Sequence, residues 1–109
     1  MSAALVGAAI EAAGVAAVFA RPDESPREAL LRTRPAAVAI DCEHEEACSD
    51  AFLGPVLMTG ATVLVFGPPR LAHELMAASR RFSLRAFCLP DDEPQLLELV
   101  RRATRGEEA

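Results

Sequence analysis

The regular exchange between two hydrophobic periods restricts the fold of this chain more than any other feature. Residues 15–20 (VAAVFA), 36–41 (AAVAID), 61–66 (ATVLVF) and 85–89 (RAFCL) are short runs, apolar almost throughout. Such runs read as strands buried on both faces, the pattern of a parallel sheet rather than of an antiparallel one with a wet side. Between them lie longer stretches whose apolar residues recur every three or four positions, the period of a helix with one buried stripe.

The helices carry start and stop signals of their own. Over residues 3–13, Leu5, Val6, Ala9, Ile10 and Ala13 share a stripe, Ser2 is placed to cap the start, and Gly14 suits the position past the end. Ser25-Pro26-Arg27-Glu28 is a capping box with proline at the first helical position, and Pro35 stops that helix near Arg34. A third helix is expected from Glu45 to Leu53, broken by Gly54-Pro55. A fourth opens after Gly67-Pro68-Pro69 and runs through Arg81. Asp92 is placed to cap a last helix reaching about Thr104, with Gln95 three residues on. The expected order is therefore helix first, then strand and helix in alternation to the end. Helices covering both faces of a parallel sheet follow, in one α/β domain over residues 1–105 with a frayed tail at 106–109.

Composition limits the function. Hydrophobic residues at 51% and charged ones at 25% suit a globular core that needs no staple. The net charge is −5, which argues against nucleic acid as a partner, since phosphate backbones reward clustered base. All eleven basic residues are arginine. Three cysteines at irregular spacing do not suggest a secreted disulfide framework. The apolar start lacks the positive charge of a signal peptide, and its glycines divide it into helix and strand. A cytoplasmic protein with no membrane segment is expected.

The stretches EAAGVAAVFA, PREALLRTRPAAVAID, TVLVFG and RAFCLPDDEPQLLELVRRA together resemble the receiver domain of response regulators. The resemblance implies a flavodoxin-like, three-layer α/β/α fold with about four strands, the family's first strand being absent. RPAAVAID is similar to the family's Arg-Pro-Asp followed by a strand ending in the phosphoacceptor, which puts Asp41 at that position. The family's acidic pair after its first strand has no counterpart here. Its phosphate-gripping lysine has none either, with Pro90 at or next to the place. Phe66 and Gly67 stand where it has a hydroxyl. The implied protein is a non-enzymatic signalling or protein-interaction module, a pseudo-receiver of bacterial two-component type that is not phosphorylated and needs no cofactor. The alternatives are a phospho-accepting receiver fragment using Asp41, or a small-ligand-binding flavodoxin-like domain. The cobalamin-binding signature is missed by one residue in Asp41-Cys42-Glu43-His44, and no glycine-rich phosphate loop follows any strand.

Without that first strand, backbone groups of the strands that flank it would lack partners. Direct pairing of those strands, a strand from another chain, or a strand encoded ahead of Met1 would each repair this. Strand exchange would make a homodimer through the open sheet edge.

Three other clusters have two readings each. Cys42, His44 and Cys48 could hold zinc, or Cys42 could simply sit at a strand end before a solvated helix start. Asp91, Asp92 and Glu93 lie on the same rim as Asp41, where such sheets bind ligands, but an Asp before a helix is normally its N-cap. Arg80, Arg81, Arg85, Arg101, Arg102 and Arg105 form either a basic band or a set of helix-end charges that complement the dipole. Of these, Arg85, Arg101 and Arg102 are the candidate contacts for a protein partner.

Overall fold

The computed structural model describes residues 3–15, 23, 25–43, 50–58 and 60–106. Among the described residues the elements follow in the order α1 (Ala3–Ala12), α2 (Pro26–Thr33), β1 (Ala37–Asp41), α3 (Asp50–Leu57), β2 (Thr62–Gly67), α4 (Ala72–Phe82), β3 (Arg85–Cys88) and α5 (Glu93–Thr104). A single 3-10 turn, Pro69–Leu71, leads into α4. The strands form a parallel sheet in the order β1-β2-β3. The strand expected over residues 15–20 falls almost entirely outside the described residues, so the sheet has three described strands where about four were expected.

Helices pack on both faces of the sheet. β2 is the central strand, and its alternating side chains serve two cores. Leu64 and Phe66 point to one face, with Phe87 and Leu89, beneath Val6 and Ile10 of α1 and Leu96, Leu99 and Val100 of α5. Val63 and Val65 point to the other, with Ile40, beneath Leu53 and Val56 of α3 and Leu75 and Ala78 of α4. Leu30 of α2 packs against this second cluster. Burial on both faces is why the strands read as continuous apolar runs.

Several local signals act as expected. Ser25 Oγ accepts a hydrogen bond from the Glu28 amide (3.1 Å), and Glu28 Oε1 accepts one from the Ser25 amide (3.2 Å). Arg34 ends α2 in the left-handed region (φ 44°), its amide donating to Leu30 O. Gly14 takes φ 90°, and the Val15 amide reaches back to Ile10 O (3.2 Å), a six-to-one closure of the Schellman kind. In α1, Val6 and Ile10 carry the burial, while Leu5 from the expected stripe is 57% exposed.

Two expectations are corrected. α3 does not stop at Gly54-Pro55 but continues to Leu57 with Pro55 inside it. A proline costs a helix interior roughly 3 kcal/mol. Fully burying Leu53 and Val56 one turn apart contributes roughly 1.5–3 kcal/mol each, enough to carry the helix through. The second correction concerns Asp92. It occupies the N-cap position of α5 but makes no side-chain cap bond to that helix. Its carboxylate turns back to the strand.

Candidate functional site

The carboxyl rim of the sheet is where parallel α/β folds bind ligands, and it is built from the ends of β1, β2 and β3. Asp41 closes β1 beside Phe66. Its Oδ1 accepts a hydrogen bond from the Glu43 amide (3.0 Å), the turn-capping role open to a strand-ending aspartate. Glu43 Oε2 pairs with Arg70 Nη2 at 3.0 Å, tying the turn after β1 to the 3-10 turn after β2. Both groups are partly or largely exposed, so the bridge orients the two turns more than it stabilises them.

At the end of β3 the acid is also occupied. The Cys88 amide donates to Asp92 Oδ2 at 2.8 Å, and the Asp92 amide returns a bond to Cys88 O at 2.8 Å. Asp91 and Pro90 are exposed on the rim, and the Leu89–Pro90 peptide is cis. Glu93 heads α5. Among the described residues no three His, Cys, Asp or Glu side chains gather so as to hold a metal ion. His44 and Cys48 of the zinc alternative lie outside the described residues. Cys42 is half-buried against the second core cluster and is held in a disulfide, whereas Cys88 is a free thiol. No helix among the described residues is long and apolar enough to cross a membrane.

The arginines are brought together only in part. Arg85, Pro94, Gln95, Glu98, Leu99 and Arg102 line an open groove of about 310 Å³ between β3 and α5. The Arg85 guanidinium lies 5.6 Å from the centre of the Phe87 ring, an aromatic contact that orients a side chain on the edge strand. Arg101, Arg102 and Arg105 all approach Glu98, at 3.7, 3.5 and 3.9 Å. Arg101 therefore belongs to the Glu98 cluster but does not line the groove. Arg81 stacks instead on Phe82 at the end of α4, 5.1 Å from the ring centre.

Three features of the site went unread in the sequence: the Glu98 hub, the Glu43–Arg70 bridge and the Asp92–Cys88 clasp. The first had a signal, since Glu98 stands three and four residues before Arg101 and Arg102. The other two join residues whose proximity only the folded rim creates. No family model, curated protein or solved structure matches the chain.

Proposed function

We propose that this chain is a non-enzymatic protein-interaction module with a flavodoxin-like, receiver-type fold that works without phosphorylation. One observation carries the reading. Among the described residues, Asp41 and Asp92 are taken up by backbone amides and Glu43 by Arg70, and no acidic cluster gathers around Asp41. Phosphoryl transfer to a carboxylate requires charge neutralisation by a cation and a basic side chain placed around the acceptor. The chain contains no lysine to supply that contact.

Further support comes from the layering. Successive strands lie in the order β1-β2-β3, with α1 and α5 on one face and α2, α3 and α4 on the other. A flavodoxin-like order of 2-1-3-4-5 contains such a run of three successive strands. The arginine-lined groove beside α5 is the contact surface this reading assigns to a protein partner.

The test is thermal unfolding of the wild type and Asp41→Asn, with and without Mg²⁺ plus beryllofluoride, which mimics an aspartyl phosphate. A ligand at about 100 times its Kd adds about 2.7 kcal/mol. The expected result is no shift in either protein. A rise of several degrees in the wild type that Asp41→Asn abolishes would make Asp41 a phosphoacceptor and overturn the reading.

A further inference from the structure

The two edges of the sheet are treated differently. Along β1, the Thr62 amide donates to Ala36 O (3.1 Å) and the Cys42 amide to Phe66 O (2.9 Å). Strand groups alternate in direction, so both backbone groups of Val38 and Ile40 also face β2. Those of Ala37, Ala39 and Asp41 face the opposite way, and β1 pairs with β2 alone among the described residues. On β3 the outward groups belong to Ala86 and Cys88, and the Asp92 clasp satisfies both groups of Cys88. At the β3 edge a side chain satisfies Cys88, whereas along β1 no partner for the outward groups of Ala37, Ala39 and Asp41 lies among the described residues. Natural sheets blunt an open edge with lysine, proline, a bulge or an inward charge; β1 has none of these between Ala37 and Ile40.

We propose that the open edge of β1 pairs with the same edge of a second copy of this chain, antiparallel and centred on Ala39. This deepens the interaction-module reading, on which it rests, by naming the partner. The register follows from symmetry. With Ala39 opposite Ala39 of the other copy, Ala37 meets Asp41, and each of the three facing pairs exchanges two hydrogen bonds. Every outward group of both strands is then satisfied. Ala39, on the two-fold axis, is exposed and small, so its own side chain does not obstruct the approach of a second strand.

The charges agree with the antiparallel sense. Arg34, exposed at the start of the strand and with no ion pair among the described residues, comes to lie near Asp41 and Glu43 of the other copy. The two Asp41 side chains sit at opposite ends, roughly 13 Å apart along the strands. Five residues of edge with a few flanking side chains make a small interface of the weak, transient class, below about 1,200 Å².

The test uses the full chain with Cys88→Ser as background. Residues opposite each other in such a pair have Cα atoms about 5.5 Å apart, within disulfide reach. Mild oxidation of Ala39→Cys should therefore give a covalent dimer, and Ala37→Cys should not, its two copies being four residues out of register. Sedimentation of the wild type up to about 1 mM, an affinity of only about −4 kcal/mol, should show the mass rising toward that of two chains. Ala39→Lys should remain monomeric while unfolding at the wild-type temperature.

Cross-linking by neither cysteine, by Ala37→Cys alone, or by both equally would overturn the proposal. So would a wild type that stays monomeric with the Ala37 and Ala39 amides protected from exchange, which would mean that the chain covers its own edge. The two readings fail separately. A beryllofluoride response would remove the interaction-module reading and leave the cross-link standing, whereas loss of the cross-link would leave that reading in place without its partner.

Discussion

Asp92→Ala isolates the clasp that closes β3. The Cys88 amide donates to Asp92 Oδ2 at 2.8 Å in a partly buried setting. A hydrogen bond to a charged acceptor contributes about 1.5–3 kcal/mol, and its loss leaves a donor facing outward from an edge strand with no replacement. The lost carboxylate at the start of α5 removes a further ~0.3–1 kcal/mol of dipole interaction. The expected cost is about 2–3 kcal/mol. At roughly 4–8 °C per kcal/mol for a domain near this size, the melting temperature should fall by about 10 °C or more. Asp92→Asn keeps an acceptor oxygen but not the charge, and neutral bonds are about half as strong as charge-assisted ones. It should fall between the other two. Thermal and urea unfolding give the ordering, and amide exchange at Cys88 localises it, with protection lost in Asp92→Ala and partly kept in Asp92→Asn. Asp92→Ala within about 0.5 kcal/mol of the wild type would refute the reasoning, because surface changes away from such features stay in that range. Equal damage from both variants would show that charge, not the hydrogen bond, is what matters.

Two further outcomes follow from the structure. Ser25→Ala removes one half of the capping box of α2 and should cost about 1 kcal/mol, read as a lower urea midpoint at unchanged slope; no change would mean that α2 is held by packing alone. Denatured, unreduced protein should titrate as one thiol per chain, that of Cys88, and reduced protein as three. Three thiols before reduction would refute the Cys42 disulfide.

Much of the fold was legible because its signals are local. The Ser25 box, the Gly14 closure and the unbroken apolar run of β2 each act within a few residues, and each stands where its residues indicate. Pro55 was misread because a local penalty was weighed without the burial of Leu53 and Val56, which the sheet supplies. Asp92 was misread in a similar way. Its position before α5 signals a cap, but the Cys88 amide on the open side of β3 is a competing donor that exists only once the strand is placed. The arginine band was legible as a composition and not as a surface. Its members divide between the groove, the Glu98 hub and the Phe82 ring according to which helix face each occupies.

The geometry of the rim also bears on whether its acids could act together. Neighbouring strands are about 4.8 Å apart, so the ends of β1 and β3, separated by β2, stand roughly 10 Å from each other. Asp92 is anchored to the outer side of β3, which adds to that distance. Oxygen ligands sit about 2.0–2.6 Å from Mg²⁺ or Ca²⁺, so two carboxylates sharing a cation must come within about 5 Å. Asp41 and Asp92 do not meet this requirement while the clasp is closed. Breaking the clasp to bring them together would forfeit the interactions that hold the edge of β3. The nearest other acid in sequence, Glu43, is held by Arg70, and a cation bound there would have to compete with a guanidinium already in place. Asp41, Asp92 and Glu43 thus each have a structural partner whose loss opposes their gathering around a cation, which is why the reading without phosphorylation is preferred to one in which the rim reassembles.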